Sequence, residues 1–202
     1  MSVAAWVDGE PIGSDEVDDR LTRLRSRDRA GSLPVADSRE GRQLRRWVAQ
    51  VAVVERLCEH TTAGSCSGSH VEPLAGRSSA SGSPAPNTTN QPRSLVLEPT
   101  RSDAAALGSI VAAAWTNNPA VPATAALITH DVGIAPERLR RAAELTATDD
   151  GGTAWSADQL LASARLEAFA RWLARATHER VRLEEGYEHP GDASQPDNLH
   201  EH

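Results

Sequence analysis

Three of the chain's seven histidines, His189, His200 and His202, stand near its C-terminal end, interleaved with Glu188, Asp192 and Asp197. No other stretch concentrates so many metal-ligating side-chain types. Imidazole nitrogen and carboxylate oxygen together suit a divalent transition metal such as zinc or iron. Alternate residues of an extended strand share a face, so His200 and His202 can offer two rings to one ion, and turns at Pro190-Gly191 and Pro196 can bring His189 and Asp192 to them. The reading is a metal site of His189, His200, His202 and Asp192, supported by Tyr187, Glu188 and Asp197, which can fix a ring tautomer. Two plainer readings of the same residues stay open: a solvated terminus, or a tail pinned to the body by its turns, with Tyr187, the sole tyrosine, buried and its hydroxyl hydrogen-bonded.

Other chemistry is thinly represented. Gly64-Ser-Cys66-Ser-Gly68 has the spacing of a nucleophile elbow with cysteine in place of serine, but an elbow needs a strand feeding a helix, and this stretch is Ser/Gly-rich. His60 and His178 fall on helical patterns, and His130 beside Asp131 reads as a loop contact. The sequence contains no phosphate-cradling loop, dinucleotide fingerprint, paired Cys-x-x-Cys or His-Glu-x-x-His, so a nucleotide cofactor is not expected. Cys58 and Cys66 make no disulfide framework.

The elements that must position these residues are mainly helical. Val3–Gly9 meets an Asp-Gly turn before Pro11-Ile12-Gly13, which predicts a short hairpin. Ser14 precedes an acidic first turn and the stripe Val17, Leu21, Leu24, predicting a helix over 15–27. Asp37-Ser-Arg-Glu40 has the capping-box form, and Leu44, Trp47, Val48, Val51, Val54, Leu57 and Cys58 follow at helical spacing. Arg42, Arg45, Arg46 and Glu55 would form that helix's solvated face. Residues 61–93, dominated by Ser, Gly, Thr, Pro and Asn, predict a disordered low-complexity insert. Ser94–Glu98 suggests a short strand, and Ser102 or Asp103 a cap for a helix carrying Leu107, Ile110, Val111 and Trp115. Alanine in Val121–Ile128 favours helix over strand, Pro136 opens a further helix, and Ser156 a long one whose buried side holds Leu160, Leu161, Ala164, Phe169, Trp172 and Leu173. From Gly186 the sequence is irregular and polar. The expectation is a single mainly α domain over 1–202, a helical bundle with a small N-terminal β element, a flexible insert at 61–93 and a His/Asp-rich tail at 186–202.

Composition narrows the function. At 202 residues the chain has room for one ordinary domain, and Leu, Val and Ala must fill its core because it has five Trp but one Tyr, one Phe and one Met. Its 21 basic residues are all Arg, which reflects coding bias, and the net charge of −7 disfavours nucleic-acid binding. No run reaches the roughly 20 apolar residues of a membrane span, and Met1–Trp6 lacks a charged start before an apolar stretch, so a cytoplasmic chain is expected.

Two resemblances add to this. Val7-Asp-Gly-Glu-Pro-Ile12, an acidic helix start, and Arg42-Gln-Leu-Arg-Arg-Trp47 on a long helix resemble the opening of the helical N-terminal chaperone region of parvulin-type peptidyl-prolyl isomerases, over residues 3–58. Gly186-Tyr-Glu-His-Pro-Gly-Asp192, Gln195-Pro-Asp-Asn198 and His200-x-His202 resemble a family of small proteins from high-GC filamentous bacteria found near aromatic polyketide genes, some labelled malonyl-CoA:acyl-carrier-protein transacylase. The second resemblance implies an accessory or tailoring role in polyketide, hence antibiotic, biosynthesis, acting on an acyl or cyclising intermediate with an acyl carrier protein as partner. The first implies a different class: a non-catalytic, chaperone-like module in which helices 1, 2 and the last long helix form an apolar groove, lined by Trp47, Trp172 or Phe169, for a peptide or carrier-protein helix.

Overall fold

Asp8 and Gly9 both take positive φ, +53° and +83°, the backbone of a tight hairpin turn that asparagine, aspartate and glycine enter most readily. The turn joins β1 (Val3–Val7) to β2 (Glu10–Gly13), as the sequence predicts. The computed structural model describes residues 2–26, 30–67, 101–147 and 157–192. In it the hairpin leads into α1 (Ser14–Arg25), a 3-10 turn (Ala30–Ser32), α2 (Arg39–Ser67), α3 (Arg101–Ala106), α4 (Ser109–Asn117), α5 (Ala120–Thr129), α6 (Pro136–Ala147), α7 (Ala157–Arg180) and β3 (Val181–Leu183). The molecule is a mainly α-helical bundle with a small β element.

That element is a three-stranded antiparallel sheet of order β2-β1-β3, with Ala5 opposite both Ile12 and Leu183 and Val7 opposite Glu10 and Val181. The β1–β2 register shifts between Val3 and Ala5, so Ala4 and Ala5, neighbours that strict alternation would send to opposite faces, are both buried. β3 has no counterpart in the sequence reading. It leaves α7 without a loop, and three residues are too few to show a period.

α2 is the spine. Val48, Ala49, Ala52, Val53 and Leu57 pack with Ala5, Val7 and Ile12 of the sheet and with Val17 and Leu21 of α1. Val51, Val54 and Cys58 pack a second cluster with Val111 and Ala114 of α4, Val121 and Ala125 of α5, and Phe169 of α7. A helix buried on two sides narrows its solvated face, and the expected one is corrected in part: Arg42 is exposed and Arg45 partly so, but Arg46 and Glu55 are buried. The cap also differs from the expected box, because Ser38 Oγ, not Asp37, accepts the Gly41 amide, at 3.0 Å.

α2 continues to Ser67, past the expected boundary at 61, with the hydroxyls of Thr61 and Thr62 closing on the carbonyls of Leu57 and Cys58. Residues 68–93 of the expected insert and the expected strand at 94–98 lie outside the described residues. The expected helix carrying Leu107 and Trp115 is two, α3 and α4, because Gly108 between them adopts φ +101°, a backbone that side-chain-bearing residues resist. Among the described residues, no helix is long and apolar enough to cross a membrane.

Candidate functional site

The tail leaves β3 and folds against the N-terminal half of α2. Glu184 N–H donates to Ala4 O and Tyr187 N–H to Glu184 O, while Arg46 Nε and Gln50 Nε2 donate to the carbonyls of Gly186 and Tyr187 at 3.3 and 3.0 Å. The Arg45 guanidinium lies 5.4 Å from the centre of the Tyr187 ring, which packs on the first core cluster. Residues 184–187 are therefore pinned to the body. This explains why Arg46, expected in solvent, is buried: it holds the incoming chain.

His189 and Asp192 close one turn, Asp192 N–H donating to His189 O at 2.9 Å. His189 Nδ1 accepts the Gly191 amide at 3.0 Å, which leaves the ring proton on Nε2. Glu188 Oε1 accepts the Gly186 amide. His200, His202 and Asp197 lie outside the described residues. Among the described residues, no three His, Cys, Asp or Glu side chains gather as a metal site would require.

The remaining nucleophile and dyad candidates resolve into structure. Cys66 lies within α2 and not on a strand-to-helix turn, so no elbow is built around it. Cys58 is fully buried, and burial pushes its thiol up to about 11, which keeps it protonated. His130 and Asp131 form an exposed contact of 3.0 Å while Nδ1 of the same ring meets Leu127 O, as a loop contact would.

At the hairpin turn, Asp8 receives Arg180 Nε at 2.8 Å and Nη2 at 2.6 Å, and its Oδ2 lies 2.9 Å from His60 Nδ1. His60 Nε2 faces Glu10 at 3.3 Å, Arg180 Nη1 donates to Thr61, and the Asp8 amide donates to Arg180 O. The bonds to Arg180 hold the Asp8 carboxyl down at about 2. This clasp ties the hairpin to both long helices, α2 and α7.

Between α1 and α2 lies an open cleft of about 390 Å³. α1 contributes Glu16, Arg20, Arg23 and Leu24, one face at helical spacing. α2 contributes Trp47, Val48, Val51 and Glu55, again one face, and Asn117 of α4 closes one end. Trp47 gives its indole N–H to Ser109 and remains half-buried. Glu55 is only 5% exposed; its Oε2 pairs with Arg20, which also reaches Glu16 at 3.0 Å, and its Oε1 has no donor among the described residues. Burial outweighs Arg20 and holds the Glu55 carboxyl above the ordinary glutamate range.

The comparisons bear on one wall of this cleft. A family of unknown function, DUF7158, matches residues 3–40. The chain is similar to it over the hairpin, α1 and the start of α2, a stretch that carries Asp8, Glu16, Arg20, Arg23 and Leu24 but ends before Trp47 and Glu55. No curated protein and no solved structure matches the chain.

The groove expected from helices 1, 2 and the last helix is thus built differently. Its walls are α1 and α2, with Trp47 on one of them, while Phe169 is fully buried and Trp172 stacks on it at 5.6 Å inside the second core. Sequence reading missed Glu55 as a site residue. The signal was present in Val51-Ala-Val-Val54, an unbroken apolar run ending at Glu55: a charge attached to such a run is drawn into the interior with it.

Proposed function

We propose that the chain is a non-catalytic, chaperone-like binding module that takes an extended segment of a partner polypeptide, a peptide or carrier protein, in the cleft between α1 and α2. The observation that carries this reading is the cleft's lining, with Trp47 and Leu24 left half-buried above Val48 and Val51 and a polar rim around them. Clefts that bind segments of chain combine an apolar floor with a few polar groups that orient the guest. The resemblance of residues 3–58 to the chaperone region of parvulin-type isomerases supports the same reading.

The test is a titration of ¹⁵N-labelled protein with the peptide acetyl-Ala-Leu-norleucine-Leu-Ala-amide. Binding is expected to shift the Trp47 indole N–H signal, and Trp47→Ala is expected to weaken binding about tenfold or more, the usual effect of removing an aromatic anchor. Shifts spread over the surface with no loss in Trp47→Ala would remove the cleft from the function.

A second reading follows the tail. Its pinned start supports a segment that acts as a unit, in which His189 and Asp192, together with His200 and His202, hold zinc or iron for a step on an acyl or polyketide intermediate in antibiotic biosynthesis. His189 would ligate through Nε2 once its proton moves to Nδ1, which gives up the Gly191 amide bond. Tag-free protein is then expected to carry one metal per chain, lost in the double variant His200→Ala, His202→Ala; elemental analysis showing none in the parent chain would end this reading.

A further inference from the structure

The Glu55 carboxylate is the one group in the cleft that packing does not explain. It stands in a helix face otherwise made of Trp47, Val48 and Val51, it is taken out of water at a cost of several kcal/mol for an ion of its size, and half of its hydrogen-bonding capacity is unused among the described residues. A leucine there would fill the space at no such cost. Its neighbours share their cations: Arg20 lies between Glu16 and Glu55, Arg56 among Glu10, Glu16 and Glu59, and Arg23 is the second cation of the cleft lining. Glu55 lines the cleft, and its one unsatisfied oxygen lies enclosed just beneath that lining.

We propose that the cleft is selective for a basic side chain: the partner segment lays an apolar residue against Trp47 and Leu24 and delivers a neighbouring lysine or arginine to Glu55. This deepens the cleft reading and rests on it. A cationic donor is favoured over a neutral amide because a charge-assisted hydrogen bond to the carboxylate gains about twice what a neutral one does. Access needs little rearrangement. Arg20 is half-buried and holds Glu16 independently, so it can swing to that partner while the incoming cation takes its place at Glu55. Arg23, whose Nε is bonded to Asp19 O in the preceding turn, stands at the rim and repels a guest that presents its cation at the wrong end, which would set the direction of the bound segment.

The experiment compares acetyl-Ala-Leu-Lys-Leu-Ala-amide with its norleucine twin, which keeps the length and apolar stem but removes the charge. Titrations at about 150 mM salt limit the general pull of a net-negative protein on any cation. The lysine peptide is expected to bind wild-type protein about tenfold more tightly than the twin, and Glu55→Gln is expected to abolish that preference, the two peptides then binding the variant alike. Equal affinity of wild-type protein for both peptides, with the Trp47 dependence intact, overturns the cation proposal and leaves the cleft reading standing. Binding of neither peptide removes both. A lysine preference that survives in Glu55→Gln assigns it to the outer carboxylates and also overturns the proposal, as does a dimer in sedimentation velocity that Glu55→Gln dissociates, which would make the occupant a second copy of the chain. The wild-type comparison stands without the variant, so the test holds even if Glu55→Gln folds poorly.

Discussion

Phe169→Ala is expected to lower the unfolding free energy by about 3–5 kcal/mol, the largest stability effect of any single truncation proposed for this chain. The side chain is fully buried, the chain's one phenylalanine, and the centre of a short aromatic stack: its ring meets Trp115 edge-on at 5.9 Å and lies nearly parallel to Trp172 at 5.6 Å. Removing it forfeits the transfer energy of a large apolar group and leaves a cavity between α7 and the α4–α5 pair, where Val111, Val121 and Ala125 are too short to reach across. Aromatic pairing adds about 0.5–1.5 kcal/mol per pair to the loss. A domain of this size is stable by only about 5–15 kcal/mol, so the change is a large part of the whole. Urea unfolding followed by tryptophan fluorescence measures it, and a cost below about 1 kcal/mol would show that the second cluster does not form as described. Val51 and Trp47 of the cleft pack on the same cluster as Phe169, so the loss reaches the α2 wall of the cleft.

Much of the scaffold around the cleft was legible before any coordinates. Asp8-Gly9 announces a hairpin because few residue pairs accept two successive positive φ angles, and Val17, Leu21 and Leu24 mark the inward face of α1 at the correct spacing. Pro136 opens α6 because its missing N–H costs nothing in a first helical turn. These are local signals, written in adjacent residues.

What escaped the sequence depends on partners far along the chain. β3 is a strand only because β1 offers it an edge, and Val181-Arg-Leu183 carries no mark of that. Arg46 and Glu55 were read as solvated because a one-sided helix would put them in water, but α2 packs on both sides, and each charge found a distant counterpart, Arg46 in the Gly186 carbonyl and Glu55 in Arg20. Burial of a charge is decided by the second surface that covers it, and a single periodic stripe does not reveal a second surface. The tail shows the converse. Its ligand-rich composition suggests a metal, while the bonds that tie residues 184–187 to the body run through backbone groups, which no composition can display.

The same dependence on distant partners makes the hairpin clasp the point at which acid should loosen the fold. Asp8→Asn is the substitution that isolates its charge, because asparagine accepts the positive φ of this turn and nearly the same shape, whereas alanine would add backbone strain. In the folded chain the Asp8 carboxyl titrates at about 2, against an ordinary value of 3.8. A depressed carboxyl stabilises the fold above its unfolded value and gives that stability up as pH falls through the folded one, so the loss falls between about pH 4 and pH 2. Because about a third of the side chain is exposed, solvent screening reduces the contribution to about 1–2 kcal/mol. Glu55 works in the opposite sense: its raised value means that its protonated form suits the folded state, so acid relieves the cost of burying its charge while it weakens the clasp. The measurement is the urea midpoint from pH 7 to pH 2 for wild type and Asp8→Asn. The two curves are expected to stand apart at neutral pH, with the variant lower, and to converge near pH 2, where wild-type Asp8 has itself taken up a proton. Curves that stay parallel to the acid end would mean that Arg180 and His60 do not grip the charge of Asp8, and that the hairpin is held on the long helices by apolar packing alone.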